Sequence, residues 1–201
     1  MANFDIRQAF VTNASYQLPG SNFTGAAGQV LGGWQLSTIL SLRAGNPFDA
    51  SPGVSIGNFT QLTQYPDLVG PIHYDARNPD RYFDPSAFAL PPGYAAGEAA
   101  ALGGAFVGNT ARGILIGPGS ATLDFVLEKR FRVTERANVQ FRSEFYNALN
   151  RVNFGTPNGS VFLNGNVQAN GSRGTVNPQV GQITSTRGNP RQLQFGLRVE
   201  F

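Results

Sequence analysis

Residues 191–201 read Arg-Gln-Leu-Gln-Phe-Gly-Leu-Arg-Val-Glu-Phe. In the last ten residues, 192–201, Leu193, Phe195, Leu197, Val199 and Phe201 take every odd position, and all are large and apolar. Gln192, Gln194, Gly196, Arg198 and Glu200 take the even ones. Successive side chains of an extended strand point to opposite faces, so this segregation predicts a strand with one apolar and one polar face.

Upstream, the same pattern recurs. In 122–133, Leu123, Phe125, Leu127, Phe131 and Val133 share a face, with Lys129 as the exception. Asp124, Glu128, Arg130 and Arg132 oppose them. Thr134-Glu135-Arg136 then makes a short polar link suited to a hairpin. Beyond it, Val139, Phe141 and Phe145 alternate with Asn138, Gln140, Arg142 and Glu144. Two softer runs come earlier, with Phe4, Ile6, Phe10, Tyr16 and Leu18 in one and Trp34, Leu36, Leu40 and Leu42 in the other. The reading places strands near 4–18, 33–48, 122–133, 137–150 and 191–201. Each spans roughly 10 to 15 residues, whereas soluble strands average about 5 to 6 and bilayer-spanning strands need about 9 to 11.

The connections are unequal: medium at 19–32, very long at 49–121, tight at 134–136 and long at 151–190. Short and long links alternate, so both long loops, 49–121 and 151–190, fall at one end of the sheet. Outer-membrane barrels have this asymmetry, with short periplasmic turns and long outer loops. The expected fold is all-β: about five long antiparallel strands, an open sheet forming part of a transmembrane β-barrel, with two long loops on one side. The apolar face would meet lipid, which offers no hydrogen-bond partners, and the charged face would line a lumen.

Composition supports this and narrows the function. Of 201 residues, 25 are Gly, 13 are Pro and 16 are Phe, and 41% are hydrophobic, too apolar for disorder and too Gly/Pro-rich for a helical bundle. With no cysteine and a single histidine, His73, thiolate zinc sites and cysteine nucleophiles are excluded, and any triad or histidine metal site would run through one residue. The net charge of +3 comes from arginines scattered among carboxylates, without the basic run of a nucleic-acid arm. No apolar run is long enough for a transmembrane helix.

The candidate chemical motifs are weak. Asp75, Asp80 and Asp84 near His73 lack the spacing of an EF-hand and read as turn formers. Gly117-Pro118-Gly119-Ser120 lacks the lysine of a phosphate loop and leads into a strand. The glycosylation-type triplets at Asn13, Asn22, Asn158 and Asn170 are expected by chance in so Asn-rich a chain. No carboxylate pair stands apart as acid and base. The expectation is a non-enzyme with no cofactor, no metal site and no nucleic-acid partner. Tyr16, Trp34, Phe48, Tyr146 and Phe154 lie near predicted strand ends and are candidate aromatics of the membrane interface. Asp124, Glu128, Arg130, Arg142, Glu144 and Arg198 are candidates for a charge ladder across strands on the lumen face.

Several stretches carry a family likeness. They are Phe-Asp-Ile-Arg-Gln-Ala-Phe-Val at 4–11, Leu-Gly-Gly-Trp-Gln-Leu-Ser at 31–37, Ala-Gly-Asn-Pro-Phe at 44–48, Arg-Tyr-Phe-Asp-Pro-Ser-Ala-Phe at 81–88 and Gly-Asn-Thr-Ala-Arg-Gly at 108–113. The longest is Thr-Glu-Arg-Ala-Asn-Val-Gln-Phe-Arg-Ser-Glu-Phe-Tyr-Asn-Ala-Leu-Asn at 134–150, followed by the ending at 191–201. In this order they resemble the C-terminal part of a TonB-dependent outer-membrane receptor of the Oar-like type, across nearly all of 1–201. The resemblance implies a bacterial outer-membrane location and transport of bulky substrates with energy passed through TonB. It also implies as partners the outer-membrane lipid, the rest of the receptor barrel and a plug, with TonB reached only through a part of the receptor that precedes this one.

The ending also resembles the signal by which outer-membrane proteins are recognised for insertion. Gln194, Gly196, Val199 and Phe201 match its polar, glycine, hydrophobic and terminal aromatic positions, which implies the barrel-assembly machinery as a partner. A barrel of about 22 strands and a plug need more chain than this, so the segment by itself is not expected to transport. The chain shows no signal peptide and begins in mid-pattern, and coding sequence is expected to continue in frame upstream of Met1. The alternative is a soluble extracellular β-sheet protein for binding or adhesion, in which the apolar strand faces would pack against a second sheet.

Overall fold

A computed structural model describes residues 2, 4–20, 23–54, 64–104, 106–134 and 137–201. In chain order the elements are β1 (Ala9–Gln17), α1 (Gly25–Leu31), β2 (Trp34–Arg43), β3 (Pro47–Phe48), β4 (Asp67–Leu68), β5 (Phe88–Ala89), α2 (Glu98–Ala101), β6 (Leu115–Ile116), β7 (Ser120–Arg132), β8 (Asn138–Tyr146), β9 (Phe162–Val167), β10 (Arg173–Val176) and β11 (Gln192–Glu200). They divide into two compact units.

One unit comprises Gln8–Ala44, Ser120–Asn153 and Arg187–Phe201 and holds the long strands. They form a single open sheet in the order β1-β2-β7-β8-β11, antiparallel at every step. Backbone partners run one for one: Phe10 opposite Leu42, Leu36 opposite Leu127, Lys129 opposite Phe141, and Phe141 opposite Leu197. Because a slip of one residue would exchange the faces, this continuous register keeps the apolar residues of all five strands together. Phe125 and Phe145 stack across strands at 4.2 Å between ring centres, and Phe141 and Phe195 at 6.3 Å. Both long connections, β2 to β7 and β8 to β11, join the sheet at the same end. At the other end Val133 and Thr134 donate their N–H groups to Ala137 O. Glu135 and Arg136, expected in that turn, lie outside the described residues, as does Asn22.

This sheet is inside out relative to a soluble one. None of the buried hydrophobic residues belongs to it. Its buried residues are polar: Lys129, 1% exposed, and Ser143, 4% exposed. Phe10, Tyr16, Leu42, Phe131, Leu193, Phe195, Leu197 and Val199 are all exposed. The second sheet that a soluble protein would lay over this face is not there among the described residues.

The first strand starts at Ala9, not Phe4, because its partner ends. Ala44 still donates to Gln8 O, but at Gly45 the chain packs so tightly on the Gly117 carbonyl that a side chain would overlap it. The run expected at 33–48 is therefore two strands, β2 and the two-residue β3.

The other unit comprises Met1–Arg7, Gly45–Gly119 and Phe154–Thr186. The two long connections fold together around a core of Phe48, Ala50, Tyr82, Phe83, Phe88, Leu90, Leu115, Val161, Phe162 and Val180. Phe83 meets Phe48 and Phe88 edge-on, each at 6.1 Å. Three short antiparallel pairs, β3–β6, β4–β5 and β9–β10, stitch the backbone.

Candidate functional site

The polar face of the five-stranded sheet carries a connected set of charges. Glu128 and Arg142 are backbone partners on β7 and β8, and their side chains pair at 3.3 Å. Arg142 Nε also meets Glu144 Oε1 at 2.5 Å. Gln140 donates to Glu128 at 3.1 Å, and the Tyr146 hydroxyl donates to Glu144. Arg198 pairs with Glu200 on exposed β11 at 3.0 Å. Of the six expected ladder residues, Glu128, Arg142 and Glu144 thus form one network and Arg198 joins a separate pair. Asp124 instead caps backbone, accepting from Asn147 N–H at 2.7 Å, and Arg130 lies on the same face, its own N–H bonded to Gly33 O. The network sets two largely covered carboxylates against one half-exposed guanidinium and so carries net negative charge. Ion pairs of this kind add little stability singly, and the network matters chiefly as a polar, negatively charged surface.

The candidate interface aromatics separate. Tyr16 and Trp34 lie in the apolar rows of β1 and β2, at the short-turn end. Tyr146 lies in the polar row. Phe154 is half-buried and bridges to Thr186 in the loop unit. Phe48 is 8% exposed and packed on Phe83, so it cannot reach a lipid boundary. Its spacing from β2 resembles a strand end, but the turn at Gly45 takes it into the loop core.

The residues matched to the insertion signal all lie on or just past β11, an edge strand bonded only to β8. Gln194 and Gly196 fall in the polar row, Val199 in the apolar one, and Phe201 is fully exposed beyond the strand.

One feature of the sheet's loop end escaped sequence reasoning. Asn147, Asn150 and Asn153 recur every third residue after β8. Asn147 donates through Nδ2 to Arg151 O and Asn189 O and accepts Arg151 N–H on Oδ1. Asn153 both accepts from Ala121 N–H and donates to Ala121 O. Asn150 accepts Arg191 N–H. Side-chain amides, which are donor and acceptor at once, thus replace the ladder where β7, β8 and β11 end. The regular spacing of the three asparagines was the signal that could have revealed it.

In the loop unit, Asp75, Asn78 and Asp84 cap turns, accepting from Arg77, from Asp80 and Arg81, and from Ser86 respectively. Ser86 holds the Asp84 carboxyl below its usual range through both its N–H and its hydroxyl. Glu98 on α2 pairs with Arg173 on β10 at 2.7 Å and accepts from Gly93 and Ala95, and these bonds, Arg173 first, hold its carboxyl below the usual range.

A family model described as the outer membrane beta barrel domain matches residues 1–194, nearly the whole chain. The chain belongs to that family. This barrel domain is therefore a protein of the bacterial outer membrane, and the apolar face of its five-stranded sheet is the face that suits lipid. No helix among its described residues is long and apolar enough to cross a membrane, and the barrel family crosses with strands. No curated protein and no solved structure matches the barrel domain.

Proposed function

We propose that this barrel domain is wall from the C-terminal part of a TonB-dependent outer-membrane receptor of the Oar-like type, one that moves bulky substrates with energy passed through TonB. The open sheet is the observation that carries the reading. Five alternating strands leave β1 and β11 as edges that run in the same direction. They cannot pair antiparallel with each other, and a ring of identical copies would need parallel joints. Antiparallel closure requires an odd number of further strands, and lipid tolerates no open edge. A receptor barrel of about 22 strands takes these five and leaves an odd remainder. The Glu128–Arg142–Glu144 network then faces the lumen, where a plug or water meets it. The two long connections, 49–121 and 151–190, leave the sheet at one end, which in this reading is the outer side.

The test is made in the native bacterium. Outer membranes are extracted in mild detergent and run unboiled, with detection by an antibody to the loop unit. The expected result is a heat-modifiable species much larger than this chain that forms an adduct with TonB on crosslinking. A band of the chain's own size, without a TonB adduct, would overturn the reading.

A further inference from the structure

Lys129 is the chain's single lysine. It stands in the apolar row of β7, between Leu127 and Phe131, where alternation alone would put an ammonium against lipid tails. It is instead covered. Its Nζ donates to Val30 O at 3.0 Å and to Gly32 O, carbonyls at the C-terminal end of α1. The ammonium also lies 5.2 Å from the Trp34 ring centre and 5.0 Å from that of Phe131. Trp34 Nε1 donates to the same Val30 O at 2.9 Å. Helix-end carbonyls carry partial negative charge and aromatic faces attract cations, so the site satisfies the charge that the strand pattern leaves exposed.

Residues 23–33 of this connection are thus folded back over the apolar face, and the described part of it is tightly built. Gly20 packs on the Leu31 carbonyl so closely that any side chain there would overlap it. Gly33 has φ +71°, and a Cβ there would sit 2.6 Å from Arg130 O. Its large apolar side chains are exposed, Phe23, Val30 and Leu31 by 52%, 64% and 49%, beside the uncharged Thr24 and Gln29. Residues 18–33 contain no charged residue at all.

We propose that residues 18–20 and 23–33 form a lipid-seated foot. Lys129 staples the turn to the outer surface of the wall, and Phe23, Val30 and Leu31 rest in the headgroup–acyl boundary of the leaflet at the short-turn end. The occupant is bilayer phospholipid, because the exposed residues continue the lipid-facing row through Trp34, Leu36 and Tyr16 and offer no charge to a protein partner. The foot rests on the assignment of the apolar face to lipid, and it fixes the depth of the wall in the membrane at that end.

The absence of cysteine allows single spin labels at Val30→Cys and Leu31→Cys, with Leu197→Cys as an apolar-face control and Gln140→Cys as a polar-face one. The labelled protein is extracted from outer membranes as the assembled barrel and reconstituted into phosphatidylethanolamine–phosphatidylglycerol vesicles, and collisions with oxygen and with a water-soluble nickel chelate are compared. The foot requires oxygen to dominate at 30, 31 and 197 and nickel at 140. Nickel dominance at 30 and 31 with oxygen dominance at 197 overturns the foot alone, as does shielding of 30 and 31 from both reagents. Nickel dominance at 197 overturns the lipid assignment beneath it. Lys129→Met should raise nickel access at position 30 and shift emission of the single tryptophan, Trp34, to longer wavelength. Lys129→Arg, which keeps donors, should restore both. A Lys129→Met protein identical to the parent in both readouts overturns the staple.

Discussion

Asn147 is buried, with a left-handed backbone at φ 45°. Asparagine tolerates that conformation better than most residues, and its amide here replaces bonds that the strand ends would otherwise lack. Asn147→Ala should cost about 1–3 kcal/mol from unsatisfied partners, plus backbone strain. Asn147→Gly should relieve the strain but not restore the amide. Thermal unfolding in detergent should therefore rank the native protein above Asn147→Gly, and that above Asn147→Ala. If the glycine variant equals the native protein, the amide network carries no stability. Glu98 gives a second test at this scale. Its carboxyl titrates below its ordinary value of 4.5 because Arg173, then Gly93, favour the charged form. The carboxylate therefore stabilises the loop unit fully above its ordinary pKa, and this is lost as pH falls through the depressed one. Protease resistance of the loop unit should decline on acidification below that range, and Glu98→Gln should flatten the decline. A variant with the parent's pH profile removes Glu98 from the account.

At the scale of elements, the two faces of the sheet predict opposite responses to one substitution. Leu197→Arg puts a charge on the lipid side of β11 and should cost about 2–4 kcal/mol if that position lies near the bilayer midplane. Asn13→Arg, in the polar row of β1 opposite Ile39, should cost little. Equal sensitivity in folding titrations from urea into vesicles would contradict the face assignment. These faces were legible because strand period is local: Leu123, Phe125 and Leu127 declare their side within one run of chain. The loop core was not legible, because Phe48, Phe83, Leu115 and Val161 come from two-residue strands and irregular segments with no period to read. Only tertiary pairing brings Phe48 onto Phe83. The Lys129 site was hidden similarly, its acceptors lying on a connection remote in sequence. Phe83→Ala should cost the loop unit about 3–5 kcal/mol. Hydrogen exchange would read that loss in β3–β6 and leave β7 and β8 protected. Uniform loss of protection would mean that the two units do not unfold separately.

At the scale of the molecule, an edge strand has two duties that can conflict: it must be stable once paired and recognisable before it is paired. Gly196 exposes the conflict. Glycine in a strand interior costs roughly 0.5–1 kcal/mol relative to alanine, and this sheet does not require it, since a Cβ at Gly196 would find only Arg142 O, 4.0 Å away. Phe201 is likewise fully exposed beyond the end of β11. Residues that the folded sheet does not need would suit recognition by the barrel-assembly machinery, the partner implied by the resemblance of Gln194, Gly196, Val199 and Phe201 to an insertion signal. Gly196→Ala and Phe201→Ala should then leave the unfolding temperature of the inserted protein unchanged or, for Gly196→Ala, slightly raised. Both should lower the amount assembled in cells and the rate of machinery-assisted insertion into proteoliposomes, while spontaneous insertion into vesicles without the machinery stays at the native rate. Native assembly of both variants would remove the signal. An equal fall in assisted and spontaneous insertion would make these residues structural, and the free edge of β11 would then owe its composition to the strand that pairs with it.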